Sequence, residues 1–186
     1  MKYYIKLSLI LLIFCAVASG ILAYVNSLTA PVIAARKAQN EIDTRNALIP
    51  GADFSEASTA DGSTYYIATN PESGEVLGYT FIAAETGYSS TVQTMVGVNK
   101  DFHVLSIKVI DQAETPGLGA NCSNDSFTGQ FAGMNPDQLL VDKDGGQVVA
   151  LSGATITSRC VTNSIRESIR AVMTDLQSPA QAGGAQ

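Results

Sequence analysis

The residues best suited to chemistry are Leu151-Ser152-Gly153-Ala154-Thr155-Ile156-Thr157-Ser158. They follow the Gly-rich turn Asp144-Gly145-Gly146 and the short apolar run Val148 to Leu151, and they lead into a strongly periodic stretch. Strand, tight small-residue turn and helix start, in that order, present unpaired backbone N–H groups and the positive end of a helix dipole. A phosphate is the natural guest of that geometry. Ser152, Thr155, Thr157 and Ser158 offer hydroxyls that can bind the phosphate or be joined to it. The same hydroxyls also suit simple helix capping, a role for which Thr157 or Ser158 is well placed. The residues alone leave both readings open.

Two loops carry further candidates. Asp111 to Gly119 reads Asp-Gln-Ala-Glu-Thr-Pro-Gly-Leu-Gly, where Pro116-Gly117 fixes a turn and glycines let backbone approach a flat ligand. Its plain alternative is a Pro-Gly turn with Glu114 in solvent. Glu85-Thr86-Gly87-Tyr88-Ser89-Ser90 is by itself an ordinary polar loop. Lys143 can offset anionic charge or simply be a solvated turn lysine. Cys15, Cys122 and Cys160 form no CxxC pair, and His103 is the single histidine, so the chain assembles no ordinary zinc or iron–sulfur site alone. Cys122 and Cys160 read as buried free thiols, with a disulfide open to them outside the cytoplasm. A serine or threonine hydrolase would need a base beside its hydroxyl, and only His103 is available.

These residues must be positioned by the elements around them. Thr64 to Thr69 and Val76 to Ala83 are rich in strand formers and flank the turn Asn70-Pro71-Glu72-Ser73-Gly74. Thr91 to Val98 and Val104 to Ile110 form a second pair about Asn99-Lys100-Asp101. Such short connections demand antiparallel pairing. Phe127 and Phe131 predict an amphipathic segment packed on the sheet and ended at Met134-Asn135-Pro136. Leu139 to Val141 and Gln147 to Leu151 predict a final hairpin. Val161, Ile165, Ile169, Val172, Met173 and Leu176 recur at helical spacing and predict a closing helix. Strands bracketed by helices give an α+β domain.

The N-terminal part is of another kind. Leu7 to Val25 carries no charge and spans about 29 Å as a helix, the thickness of a bilayer core. It exceeds the usual length of a signal-peptide core, which favours an uncleaved anchor over a cleaved leader with Ala16-Val17-Ala18 as its cleavage signal. A helix start is expected at Thr29-Ala30-Pro31, continuing from the membrane and ending at Pro50-Gly51. The expected organisation is an anchor over 1–28, a domain over 29–177 and a disordered tail over 178–186. Anchor and leader both place that domain outside the cytoplasm, single-pass on the cytoplasmic membrane. Of the 11 basic residues Lys2 and Lys6 fall in the first 25 positions, while all 17 acidic residues lie beyond. So acidic a domain, without a basic stripe, excludes nucleic acid as partner.

Ser152-Gly153-Ala154-Thr155 with Ile156-Thr157-Ser158 resembles the flavinylation motif of the FMN-binding domain family. That family includes the G subunit of Rnf-type membrane electron-transfer complexes and the C subunit of the sodium-pumping quinone reductase. Glu114-Thr115-Pro116-Gly117-Leu118-Gly119 and Gly87-Tyr88-Ser89 resemble two more of its elements, in the family's order, and chain length suits the Rnf member better. The resemblance implies covalent FMN, a phosphoester on Thr155. It implies cofactor contacts from Tyr88, Glu114, Thr115, Gly117, Leu118, Ser152, Gly153, Ala154, Thr157, Ser158 and Lys143, with Leu118 over one face of the isoalloxazine and Thr115 at its polar edge. One departure stands at Val149, where the family often has an acidic residue read by a flavin transferase.

The implied function is a membrane-anchored electron carrier, not a stand-alone enzyme and without a catalytic acid or base. It would work among other membrane subunits of a ferredoxin:NAD oxidoreductase that moves Na⁺ or H⁺. The competing expectation is a membrane-tethered sensory or structural module that binds flavin non-covalently or not at all.

Overall fold

A computed structural model describes residues 2–59 and 62–177; the expected tail over 178–186 lies outside them. The chain divides into two compact units between Asn40 and Glu41.

The first unit belongs to one helix, α1 (Lys2–Leu48). No residue from 2 to 40 is buried. By length and composition α1 is able to cross a membrane. The expected helix start at Thr29-Ala30-Pro31 is absent, because α1 runs through Pro31. Proline lacks the N–H that would complete one rung, but a single proline can be accommodated within a long helix. Just before it, the Ser27 and Thr29 hydroxyls donate to the carbonyls of Tyr24 and Val25 at 2.7 and 3.0 Å.

The second unit is built on five strands, β1 (Asp53–Ser58), β2 (Thr64–Thr69), β3 (Val76–Thr86), β4 (Thr91–Asn99) and β5 (Val104–Asp111). They form an antiparallel meander in the order β1-β2-β3-β4-β5. Two of its turns, β2–β3 and β4–β5, are built by asparagine. Asn70 Oδ1 accepts from the N–H groups of Glu72 and Ser73, and Asn99 Oδ1 from those of Asp101 and His103. Strand β1 is the element the sequence hides: Asp-Phe-Ser-Glu-Ala-Ser has two apolar residues, and it lies at the sheet edge with little to bury.

The closing helix α3 (Thr155–Gln177), numbered after the four-residue α2 (Asp125–Thr128), packs across β3 and β4. Val161, Ile165 and Ile169 are fully buried there with Tyr65, Phe81, Val96, Phe127 and Phe131. Tyr65 Oη also donates to Asp175 Oδ2 at 3.1 Å and fastens the helix end to β2. The opposite face of the sheet carries a smaller cluster, in which Leu48 and Ile49 meet Ala68 and Met95. Gly97 permits this approach, since a Cβ there would stand 3.2 Å from Leu48 Cβ.

The expected hairpin over 139–151 shrinks to a single bridge, Val141 to Val148. Backbone bonds close its turn, among them Asp142 N–H to Val148 C=O at 2.8 Å and Gly146 N–H to Val141 C=O at 2.9 Å, and side chains hold the residues that follow. Asp142 Oδ1 accepts from Ala150 N at 3.1 Å, and Gln130 Oε1 accepts from Val149 N at 2.8 Å. Cys122 and Cys160 are buried free thiols. Burial pushes both upward in pKa, Cys160 to about 12.

Candidate functional site

Helix α3 begins at Thr155 because the chain reverses just before it. Gly153 adopts φ +72°, a left-handed conformation that costs glycine little, and Ala154 N–H closes the turn on Leu151 C=O at 3.0 Å. Ser158 N–H then donates to Ala154 C=O at 3.0 Å. The N–H groups of Thr155, Ile156 and Thr157 precede that rung and face outward from the helix start.

The expected capping by Thr157 or Ser158 is not what those residues do. Both lie inside the first turn of α3 and are fully buried. Ser158 Oγ donates to Ala154 C=O at 3.0 Å and accepts from Leu151 N–H at 2.9 Å, so it staples the turn to the helix. Thr157 Oγ1 donates to Glu114 Oε2 at 2.7 Å. Ser152 is exposed. Among the described residues the half-buried Thr155 hydroxyl has no hydrogen-bond partner within the protein.

Thr155 lines a cleft of about 440 Å³, together with Tyr88, Glu114, Thr115, Leu118, Gly119, Gly153, Ala154, Ile156 and Thr157. The volume lies within the range of small-molecule and cofactor sites. Segments far apart in sequence thus meet here: the 87–90 loop, the 114–119 loop and the start of α3. Tyr88, Leu118 and Ile156 are largely exposed and give the mouth apolar surface. Ser152, Gly117, Ser158 and Lys143 do not line it. Gly117, at φ +77°, makes the turn after Pro116. Lys143 is exposed on the neighbouring turn, its Nζ 3.4 Å from Asp142 Oδ2. That turn is tied to α3 by Arg159, whose Nε and Nη2 donate to the two carboxylate oxygens of Asp144 at 2.7 and 2.6 Å.

Glu114 is buried, not solvated. Its Oε1 accepts from Ser89 N–H (3.0 Å), Ser90 N–H (2.9 Å) and Ser90 Oγ (3.1 Å). Its Oε2 accepts from Thr157 Oγ1 and, at 3.3 Å, from Tyr88 N–H. Burial alone would push this carboxyl up, but the hydroxyl of Thr157 and the donors of Ser89 and Ser90 outweigh it and hold it at about 2.

Two lining residues escape a reading of the sequence. Gly119 was legible as part of Pro-Gly-Leu-Gly but not as a wall. Ile156 had a signal: at 100° per residue it falls opposite the Val161–Ile165–Ile169–Val172 stripe, an apolar residue with no core to enter.

The FMN-binding domain model matches residues 87–170, which contain every segment of the cleft, and the RnfG N-terminal region matches residues 2–48. The G subunit of the proton-translocating ferredoxin:NAD(+) oxidoreductase complex of Clostridium ljungdahlii is 35% identical over 167 residues, covering 88% of this chain and 89% of that protein. The chain belongs to the RnfG family. The corresponding G subunit of the Na(+)-translocating complex of Acetobacterium woodii is 34% identical to this RnfG-family chain, over 91% of each. A solved structure, NqrC of Shewanella oneidensis, superposes with a TM-score of 0.49 at 20% identity, covering 61% of this chain and 63% of that one.

Proposed function

We propose that this chain is the membrane-anchored flavin subunit of an ion-translocating ferredoxin:NAD oxidoreductase complex, and that Thr155 carries FMN as a phosphoester. One observation carries the assignment. Of the four hydroxyls in the Ser152–Ser158 stretch, only that of Thr155 both lines the cleft and is uncommitted to the protein.

The residues fit the cofactor. A phosphate at Thr155 Oγ1 would meet the N–H groups at the helix start and the positive end of its dipole. Leu118, Ile156 and Tyr88 supply apolar area for a planar ring, and Thr115 a polar edge. Glu114 does not oppose the phosphate with open acceptors, since its oxygens are filled by protein donors. When bound, FMN supplies the redox chemistry, accepting and passing on electrons. The protein would hold it: a phosphoester formed from the Thr155 hydroxyl and the FMN phosphate, with one water lost overall, means that affinity no longer limits retention in either redox state.

The apolar part of α1 anchors the chain in the cytoplasmic membrane, with the domain on the extracytoplasmic side. The relatives bear the names of complex subunits, which supports neighbouring membrane subunits as partners. A flavin transferase completes maturation, and the exposed Val149, where an acid is common, sets how well that enzyme reads this chain.

A denaturing gel tests the assignment. A fluorescent flavin band should survive denaturation, disappear in Thr155→Ala, and be lost when protease is added to intact spheroplasts. A band that persists in Thr155→Ala moves the attachment point. A band that resists external protease puts the domain on the other side of the membrane.

A further inference from the structure

The Glu114 carboxylate is better furnished with partners than a residue meant to touch a ligand needs to be. A carboxylate offers about four lone-pair sites. Five protein donors reach Glu114, three of them backbone N–H groups of Tyr88, Ser89 and Ser90. The Ser89 hydroxyl is nearer to Ala113 C=O, at 3.0 Å, than to Glu114, at 3.4 Å. No acceptor capacity is left to turn toward the cleft.

The glycines around Glu114 point the same way. A Cβ on Gly87 would stand 2.8 Å from Glu114 Oε1. A Cβ on Gly119 would stand 2.7 Å from Glu114 Oε2 and 2.7 Å from Thr157 Oγ1. These glycines leave room for a carboxylate; at Gly117, by contrast, a Cβ would meet nothing within 4 Å. Each segment that walls the cleft therefore either supplies Glu114 with donors or makes space for it.

We propose that Glu114 is a positioning residue: its carboxylate bridges the 87–90 loop to Thr157 in the first turn of α3, and this bridge sets the cleft into which Thr155 presents its hydroxyl for flavin attachment. The consequence for attachment rests on the reading of the cleft as an FMN site; the bridge itself does not.

The test uses the full-length chain. Thr157→Val keeps shape and removes the donor, whereas Thr157→Ser keeps the donor. With a flavin transferase co-expressed, the fraction carrying FMN is followed over time by intact mass. Thr157→Val should load about tenfold more slowly or worse, the order expected for one lost hydrogen bond to a buried charge, while Thr157→Ser loads like the wild type. Equal loading by Thr157→Val and the wild type would overturn the proposal. So would equal slowing by both variants, which would mean the site tolerates no change at all. On flavin-free protein, Thr157→Val should leave the Ser89 and Ser90 amides protected, and Gly87→Ala, which crowds the carboxylate, should raise their exchange rates at least about tenfold. Unchanged exchange in Gly87→Ala would overturn the bridge. A wild type that never acquires flavin would defeat the FMN reading instead, and the exchange experiment would still decide the bridge.

Discussion

The chain's two long helices use apolar residues in opposite ways. In α1 the apolar side chains from Leu7 to Val25 point in every direction and all are exposed, so their solvent has to come from outside the polypeptide. In α3 they form one stripe that enters the sheet's core, and the other faces are polar. The contrast teaches how to read the exception. Ile156 is apolar, off the stripe and exposed, and it lies in the wall of the cleft. Single exposed apolar residues such as Leu105 and Val149 are ordinary on a domain surface, and what sets Ile156 apart is its place in the wall of the cleft.

Removing volume from the buried stripe should cost the most. Ile165→Ala should lower the unfolding free energy of the protein by about 2–5 kcal/mol, read from urea denaturation in detergent. Leu12→Ala in the same assay should leave the domain's transition unchanged. Comparable destabilisation by both would erase the distinction between the helices.

Next comes the acid response of the region that α3 shares with the loops. Glu114 is held at about 2, below its ordinary 4.5, so its contribution is complete above the unfolded value and is lost as pH falls toward 2. On the order of 2 kcal/mol of stability should vanish across that window. Glu114→Gln keeps an acceptor for Ser89 and Ser90, and its amide can donate to Thr157. Stability of this variant should vary less between pH 4.5 and 2 than that of the wild type. An identical slope would place the titrating group elsewhere.

The smallest effect separates packing from binding within α3 itself. Ile156→Ala should change stability by no more than about 0.5 kcal/mol, as surface substitutions do. It should still weaken non-covalent FMN binding in a Thr155→Ala background, measured by fluorescence titration. An effect on stability as large as that of Ile165→Ala would make Ile156 a core residue.

The fold was largely legible because period and turn chemistry agreed. β2 and β3 lie where Thr, Val, Tyr and Ile cluster about the Asn70 turn, β4 and β5 where they cluster about the Asn99 turn, and α3 follows its stripe. β1 was not, since an edge strand of mostly polar residues has no pattern to show. The 139–151 segment misled because two short apolar runs about a Gly-rich turn resembled a hairpin, whereas its arms share only the Val141–Val148 bridge and the bonds beside it, and Asp142 and Gln130 side chains take up the next N–H groups. At the site, the motifs brought Thr155, Leu118 and Tyr88 together in outline. What sequence could not show was how hydroxyls are shared out. Thr157 and Ser158 looked as available as Thr155, and only their contacts with Glu114 and Leu151 remove them.

Which hydroxyl carries the flavin can be read from one fragment. Trypsin releases residues 144–159, which contain all four hydroxyls of the motif, between Lys143 and Arg159. Fragmentation of this peptide, taken from the chain made with its flavin transferase, should place the mass of FMN less one water on Thr155. The same mass on Ser152, Thr157 or Ser158, or a peptide that carries none, would contradict the account.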